Sequence, residues 1–166
     1  KSKPIINGAV SLFSDEDGTL QALIDFHLVT KWKTAGDSLL ASSLLARSDS
    51  KAILIVGAGT VGRSLREAYG VYFPHAKFTV WNRTREKAEA MALNDPRMKV
   101  AESLQGAVEA ADIITCATMS TEPLIKGAWL RAGQHVDLIG AYRLDMREVD
   151  DDALRRAKIF VDSYDT

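Results

Sequence analysis

The sequence has no second cysteine to pair with Cys116, so the chain cannot form an internal disulfide. It also has no excess of one charge, because 21 Lys and Arg residues accompany 22 Asp and Glu residues and the net charge is -1. This balance excludes a broad basic surface for nucleic acid or anionic lipid. No apolar run approaches the roughly 20 residues that span a membrane. We therefore expect a cytoplasmic globular protein with a small-molecule ligand and no nucleic-acid or membrane partner.

The first part of the chain has the pattern of an incomplete domain. It begins Lys-Ser-Lys-Pro, without an initiator Met or a signal-peptide pattern, and we expect it to belong to a longer protein that holds part of the active site. Residues 5–13 and 20–26 predict a hairpin, which must join a larger sheet to be stable. A helix is predicted over 30–47 with Thr30 as its N-cap. Its predicted apolar side comprises Trp32, Ala35, Gly36, Leu39, Leu40 and Leu44. Residues 48–50 are the predicted linker.

Residues 57–62 have the pattern Gly-Ala-Gly-Thr-Val-Gly between an apolar run at 51–56 and an amphipathic segment at 63–73. Strand, glycine turn and helix in this order predict a dinucleotide-binding loop, against the alternative of a glycine-rich turn in an unrelated α/β domain. Gly57 permits the tight turn, Gly59 lets the backbone approach a diphosphate, and Gly62 lets the helix pack closely. The helix N-terminus, with Thr60 and Val61, offers N–H groups to the phosphates.

The rest of the chain alternates short strands with short helices. Strands are predicted at 77–82, 98–101, 112–118, 135–139 and 158–161, and helices at 84–93, 104–110 and 151–157. Such alternation predicts the α/β class, with a doubly wound Rossmann sheet and right-handed crossovers.

The end of the second Rossmann strand indicates which dinucleotide binds. An NAD site commonly has a carboxylate about 20 residues after the glycine motif, where it holds the ribose hydroxyls. This chain has Asn82, Arg83 and Thr84 there instead. The Arg83 guanidinium can bind a 2′-phosphate. The sequence therefore favours NADP(H), with NAD(H) as the alternative if Arg83 is only a surface charge.

Two more loops follow strand ends, which is where ligands bind in open parallel sheets. Hydroxyls in the first can reach the ribose or nicotinamide, and a glycine in the second leaves room for the nicotinamide ring. The predicted contacts are Thr118, Met119, Ser120, Ile139 and Gly140.

Metal and nucleophile sites are not indicated. The three histidines have no Cys, Asp or Glu at ligand spacing, and no Ser or Cys lies in a glycine elbow. Lys33 has two interpretations. Either it is a solvated cation paired with Asp37, or it holds an anionic substrate group together with the nearby helix start.

From residue 30 to its end the chain resembles the ornithine cyclodeaminase/mu-crystallin family. The matching motifs are Thr-Lys-Trp-Lys-Thr-Ala at 30–35, Val-Gly-Ala-Gly at 56–59, Val-Trp-Asn-Arg-Thr at 80–84, Ala-Asp-Ile-Ile-Thr-Cys-Ala-Thr at 111–118, Ser-Thr-Glu-Pro at 120–123, His-Val-Asp-Leu-Ile-Gly at 135–140 and Met-Arg-Glu-Val-Asp-Asp at 146–151. The resemblance implies a homodimeric NAD(P)-dependent enzyme. Residues 1–48 would then be the remnant of a substrate and dimerisation domain, and residues 49–166 the dinucleotide-binding domain.

The resemblance also implies functions for single residues. Lys33 takes the position of a basic residue that binds the substrate carboxylate. Tyr142 stands where cyclodeaminases carry a catalytic Asp, and a phenol is a poor substitute for a carboxylate that manages an amine's protons. Asp145 can take over that role unless residues 143–148 form a solvated loop of ion pairs. Tyr142 would instead wall the pocket or relay a proton.

We therefore expect a reductase of cyclic imino acids of the Δ1-pyrroline-2-carboxylate or Δ1-piperideine-2-carboxylate type. One alternative is an ornithine cyclodeaminase, which makes proline and ammonia with recycled NAD. The other is a crystallin-like protein that binds NADPH with little catalysis.

Overall fold

A hairpin, a long helix and a parallel sheet follow one another along the chain. The computed structural model describes residues 8–161 and residue 163. Strands β1 (Ala9–Phe13) and β2 (Leu20–Asp25) are antiparallel, with Ala9 opposite Asp25. Gly18 lies in the turn between them with a φ of 71°. The predicted hairpin is confirmed over these residues, and positions 5–7 lie outside the described part of the chain.

Helix α1 (Phe26–Leu45) begins earlier than the sequence predicts. The Asp25 carboxylate caps it, accepting hydrogen bonds from the N–H groups of His27 at 2.7 Å and Leu28 at 3.3 Å. The prediction of Thr30 as the N-cap is therefore wrong, because an aspartate five residues earlier already satisfies the free N–H groups. Lys33 consequently lies about two turns inside the helix, away from its N-terminus.

The buried face of α1 matches the prediction only in part. Ala35 is buried and Leu39 packs against the core, as predicted, but Leu40 and Leu44 are 60% and 73% exposed. Besides Ala35, the small side chains of Ser38 and Ser42 face the protein interior. Small residues allow close approach to the neighbouring helix, and the serine hydroxyls find buried polar partners there. The exposed leucines, with apolar side chains of β1 and β2, leave an uncovered apolar surface.

The sheet contains β3 (Ala52–Val56), β4 (Lys77–Trp81), β5 (Met98–Val100), β6 (Ile113–Cys116) and β7 (His135–Leu138). All pairs are parallel, in the order β5-β4-β3-β6-β7. The helices between strands are α2 (Thr60–Tyr72), α3 (Arg85–Ala92), α4 (Leu104–Ala110) and, after β7, α5 (Asp151–Arg156), with a 3₁₀ turn at Gly127–Trp129. The predicted doubly wound α/β sheet is confirmed.

Strand β3 lies at the centre of this sheet and is buried on both faces. Ile53 and Ile55 pack with α1 and α2 on one side, while Leu54 and Val56 pack with residues of α4 and α5 on the other. A strand with helices on both faces has apolar residues at every position, and Ala52–Val56 follows this pattern.

The predicted sixth strand at 158–161 is wrong. The segment joins no ladder among the described residues, and Ile159, Phe160 and Val161 are each more than half exposed. Without backbone hydrogen bonds to β7 a β-prone segment does not become a strand. In the part of the chain that the structure describes, no helix is long and apolar enough to cross a membrane.

Candidate functional site

The glycine loop follows β3 and enters α2 directly. Gly57 has a φ of 112°, and a Cβ placed on it would lie 2.6 Å from the Ala117 carbonyl oxygen. Its N–H donates to the Trp81 carbonyl at 2.8 Å, which joins the loop to the end of β4. A Cβ on Gly62 would overlap the Gly57 carbonyl, so this glycine allows the helix to pack against the turn. The turn and packing roles predicted for Gly57 and Gly62 are both present.

Gly59 differs because no other described residue occupies the space beside it. It is the N-cap of α2, and apart from its chain neighbours no described heavy atom lies within 4 Å of a Cβ built there. Among the described residues, no hydrogen-bond acceptor faces the N–H groups of residues 59–62, which include Thr60 and Val61. An open helix N-terminus with free donors fits a diphosphate, since the donors and the helix dipole both favour anions.

The end of β4 lies beside this loop. The Asn82 side-chain oxygen accepts from the Ala58 N–H at 3.0 Å, and its amide donates to the Thr84 carbonyl at 2.9 Å. Asn82 therefore fixes the two loops to each other. Thr84 is the N-cap of α3, as predicted, but its hydroxyl makes no capping hydrogen bond. Arg83 is exposed and has no ion-pair partner in residues 8–161 and 163.

A cavity of about 220 Å³ opens at the ends of β4 and β5. Arg83, Arg85 and Glu102 are among its lining residues. Arg85 forms an ion pair with Glu89 at 2.9 Å, so among the described lining residues Arg83 is the cation that is available to a ligand. Glu102 could not be identified from the sequence, because its place in the same cavity as Asn82 depends on strands β4 and β5 being neighbours.

At the other end of the sheet, one buried carboxylate connects the ends of β6 and β7. Glu148 is 3% exposed, and its Oε1 accepts hydrogen bonds from the Thr118 N–H and hydroxyl, both at 2.7 Å. Its Oε2 accepts from the Gly140 N–H at 2.9 Å. The expectation that residues 143–148 form a solvated loop is therefore wrong for Glu148 and for Met146, which is 8% exposed. Because the segment has many charged residues, its sequence did not indicate that these two side chains are buried.

Steric crowding explains why position 140 is a glycine, and the sequence did not suggest this explanation. A Cβ on it would overlap the Thr118 backbone and the Glu148 carboxylate, so the protein itself occupies the space beside this glycine. The expectation that Gly140 leaves room for a nicotinamide ring therefore lacks support on this side, and contact between its backbone and a nucleotide stays a prediction.

The remaining residues of these two loops differ in accessibility. Ser120 donates its hydroxyl proton to the Glu122 carbonyl at 2.7 Å, and Met119 is 61% exposed. The Ile139 N–H donates to the Cys116 carbonyl at 3.0 Å, which continues the β6–β7 pairing by one residue. The structure thus brings Thr118, Ser120 and Ile139 to one edge of the sheet, as the sequence predicted.

The predicted acid and base residues lie at the surface. Tyr142 is 55% exposed, with the Arg143 guanidinium 6.0 Å from its ring centroid. Arg143 also binds both oxygens of Asp145, at 3.0 and 3.1 Å. This pair is the part of the predicted ion-pair loop that the structure confirms. Because its carboxylate is held by an arginine, Asp145 is poorly placed to replace a catalytic aspartate.

Lys33 is exposed, and its Nζ lies 3.8 Å from the Asp37 carboxylate. The solvated pairing that the sequence offered as one interpretation is present. The expectation that the helix N-terminus binds an anionic group together with Lys33 is wrong, because α1 begins at Phe26. The ammonium group of Lys33, at the end of a long exposed side chain, remains available to an anionic group.

Sequence reasoning missed a buried polar cluster between α1, α2, β6 and β7. The Tyr69 hydroxyl lies 2.9 Å from the Ser38 hydroxyl and 2.5 Å from that of Ser42. Ser38 also donates to the Asp137 carboxylate, and Thr115 donates to it at 3.0 Å. Burial raises the pKa of the Asp137 carboxyl, against the effect of these hydrogen bonds. The cluster fastens α1 to the sheet.

The possible metal ligands and the Cys116 thiol are further candidates for reactive groups. No group of three His, Cys, Asp or Glu side chains in the described residues could hold a metal ion. Cys116 is buried, and burial raises the pKa of its thiol well above the ordinary value, which keeps it protonated and unreactive. Burial also lowers the pKa of His135.

Comparison with known proteins agrees with this geometry. A sequence model of the ornithine cyclodeaminase/mu-crystallin family matches residues 1–166. The chain is 47% identical to a Δ1-pyrroline-2-carboxylate reductase of Paracoccus denitrificans over 98% of its own length and 53% of that protein's. It is 38% identical to the ketimine reductase mu-crystallin of Mus musculus, over 96% of the chain and 51% of the relative.

A solved structure is similar as well. The Δ1-pyrroline-2-carboxylate reductase of Thermococcus litoralis, in complex with NADH and L-proline, superposes with a TM-score of 0.86 at 30% identity. The match covers 94% of this chain and 50% of that one. The chain therefore spans about half the length of the relatives that it matches.

Proposed function

Because the chain belongs to the ornithine cyclodeaminase/mu-crystallin family, we propose that the protein is an NAD(P)H-dependent reductase of cyclic imino acids. Its substrates would be ketimines of the Δ1-pyrroline-2-carboxylate or Δ1-piperideine-2-carboxylate type. The observation that most supports this is the open helix N-terminus at Gly59, beside which the protein leaves space for a ligand. The reductases among the similar proteins support the substrate class.

The glycine loop and the strand ends would hold the nucleotide. The N–H groups of residues 59–62 would bind the diphosphate, Arg83 and Thr84 the adenosine ribose, and Thr118 and Ser120 the nicotinamide end. When bound, the reduced nicotinamide supplies a hydride to the C=N carbon. Lys33 would anchor the substrate carboxylate, and Tyr142 would wall the pocket. The protein then contributes mainly by holding both reactants in place.

The finer cofactor preference is for NADP(H). Arg83 has a free guanidinium, and no carboxylate occupies positions 82–84 to repel a 2′-phosphate. Glu102 lines the same cavity and would repel a phosphate, so the phosphate would lie beside Arg83. NAD(H) remains usable, because the diphosphate and ribose contacts do not require the 2′-phosphate.

Titration of Arg83→Ala with NADPH and NADH tests this preference. Loss of a charge-assisted hydrogen bond of about 1.5–3 kcal/mol should weaken NADPH binding about 10- to 100-fold and leave NADH binding nearly unchanged. Arg85→Ala is the matched control, since Arg85 is already paired with Glu89. Equal loss of both nucleotides in Arg83→Ala would contradict the proposed 2′-phosphate contact.

The reaction itself is tested by nucleotide oxidation. The complete protein should consume NADPH with Δ1-pyrroline-2-carboxylate or its six-membered analogue faster than a blank without enzyme. Formation of proline and ammonia from ornithine, with no net nucleotide change, would instead identify a cyclodeaminase. Tight NADPH binding without reduction of any imine would identify a crystallin-like binding protein.

The wider organisation is also a proposal. We assign residues 1–48 to a substrate and dimerisation domain and residues 49–166 to the dinucleotide-binding domain. The exposed apolar side chains of the hairpin and α1 support a homodimer, because such a surface is covered by protein in most folded assemblies; they include Leu12, Phe13, Leu20, Leu23, Trp32 and Leu40. A cytoplasmic location accords with the single buried cysteine.

A further inference from the structure

Glu148 is an unusual residue for the place that it occupies. Within residues 8–161 and 163, no other charged side chain is buried to the same extent. Burying a charge is unfavourable unless it is fully hydrogen-bonded, and an apolar residue often stabilises such a position better. A buried carboxylate at the ligand-binding edge of the sheet therefore requires a reason other than stability.

The Glu148 side chain acts as an acceptor in each of its hydrogen bonds. Its carboxylate accepts from three donors, the N–H and hydroxyl of Thr118 at 2.7 Å each and the N–H of Gly140 at 2.9 Å. A carboxylate is a hydrogen-bond acceptor only, and these three donors are directed at its two oxygens. In the described residues no Lys, Arg or His lies within ion-pair distance of it. One negative charge thus lies just behind Thr118.

This arrangement fixes the direction of the Thr118 hydroxyl. A threonine hydroxyl has one proton and two lone pairs, and here the proton points at Glu148. The Cys116 sulfur, 3.9 Å from the Thr118 oxygen, can therefore take part only as a donor to it. Toward anything that binds at this edge, Thr118 offers lone pairs and no proton.

We propose that Glu148 is a positioning residue that makes Thr118 an obligate hydrogen-bond acceptor for an N–H donor of the bound ligand. The inference rests on the proposed function, which brings the nicotinamide end to this loop. Two groups there carry suitable N–H donors, the primary amide of the nicotinamide and the protonated imine nitrogen of the substrate. A ligand with a carboxylate at the amide's position meets lone pairs and a buried negative charge.

Binding of two oxidised nucleotides tests the proposal by calorimetry on the complete protein. One is NAD⁺, and the other is its nicotinic acid counterpart, in which a carboxylate replaces the amide. The wild type should prefer the amide form. Glu148→Gln removes the charge behind Thr118 and should reduce this preference about fivefold, the equivalent of one neutral hydrogen bond. Glu122→Gln is the control, because it removes an exposed carboxylate from the neighbouring loop and should leave the ratio unchanged.

A second pair of variants applies where Glu148→Gln does not fold. Thr118→Ser keeps the hydroxyl and should keep the wild-type preference, whereas Thr118→Val removes it and should lose about fivefold. Titration of the nucleotide complex with L-proline distinguishes the two donors. If Thr118→Val weakens proline binding and not the nucleotide preference, the donor is the substrate nitrogen.

The results separate this inference from the proposed function. Unchanged nucleotide preference and unchanged proline affinity in Thr118→Val overturn the inference, while wild-type nucleotide binding leaves the proposed function standing. A folded Glu148→Gln with the wild-type ratio and wild-type proline affinity overturns it as well. A wild-type protein that binds neither nucleotide refutes the proposed function and, with it, this assignment of Glu148.

Discussion

Replacing Gly59 with alanine should separate ligand binding from stability. Gly59 has φ -82° and ψ -167°, an extended conformation that alanine adopts without strain. Beyond its chain neighbours, a Cβ there meets no described atom within 4 Å. Alanine reduces the entropy of the unfolded chain, which is worth about 0.4–1 kcal/mol, but it is a poorer N-cap than glycine by a similar amount. The free energy of unfolding should therefore change by less than about 1 kcal/mol, which corresponds to less than about 4 °C in Tm for a chain of this size.

The same methyl group should weaken nucleotide binding. It lies where the backbone must approach the diphosphate, and losing one charge-assisted hydrogen bond of about 1.5–3 kcal/mol lowers affinity about 10- to 100-fold. Fluorescence titration with NADPH and NADH, alongside thermal unfolding, measures both effects. The two nucleotides should be affected equally, since both carry the diphosphate.

Gly36→Ala is the matched control for this variant. Gly36 is in the middle of α1 and also has open space beside it. Alanine should stabilise the helix by about 1 kcal/mol and leave nucleotide affinity unchanged. The reasoning about the loop is refuted if Gly59→Ala binds nucleotide as tightly as the wild type, or if Gly36→Ala loses affinity to the same extent.

Three further predictions concern stability. Because burial raises the pKa of Asp137, its ionisation destabilises the fold as pH rises through the folded value, so Asp137→Asn should raise Tm at neutral pH and lose this advantage in acid. Asp112 is the opposite case, because hydrogen bonds from backbone N–H groups and Arg131 outweigh burial and lower its pKa. Asp112→Asn should therefore lower Tm at neutral pH and have its smallest effect on Tm below the folded pKa. Thermal unfolding of both variants at several pH values distinguishes the two cases, and a difference in Tm from the wild type that does not change with pH would contradict both predictions. Tyr69→Phe should cost about 1–3 kcal/mol in chemical unfolding, because it leaves buried serine hydroxyls without their partner, and an unchanged midpoint would show that these hydrogen bonds contribute nothing.

Local patterns were sufficient to predict the sheet and the glycine loop. The apolar run of β3, the glycines after it and the amphipathic α2 are adjacent in sequence, and their spacing determines both the turn and the place where a diphosphate can approach. The identity of the residues at the end of β4 likewise predicted an available arginine. These features need no knowledge of which strands are neighbours.

Features that depend on distant partners could not be predicted in this way. Ser38 and Ser42 face the interior because Tyr69 and Asp137 bind them, and neither partner is near in sequence. Glu148 is buried because the ends of β6 and β7, 30 and 8 residues earlier, present N–H donors to it, while its charged neighbours suggested a solvated loop. The segment at 158–161 has strand-like composition, yet composition does not supply a ladder partner.

The two ends of the candidate binding edge differ in how well they tolerate amino-acid substitutions. Arg83 and Thr84 are exposed, so exchanging them should alter the proposed nucleotide contact with little effect on the fold. Hydrogen bonds and close contacts connect Glu148 with Thr118 and Gly140, and a change in one disturbs the other two. If the proposed contact holds, nucleotide preference can change during evolution, or be redesigned in the laboratory, while the opposite end stays constrained by its own packing.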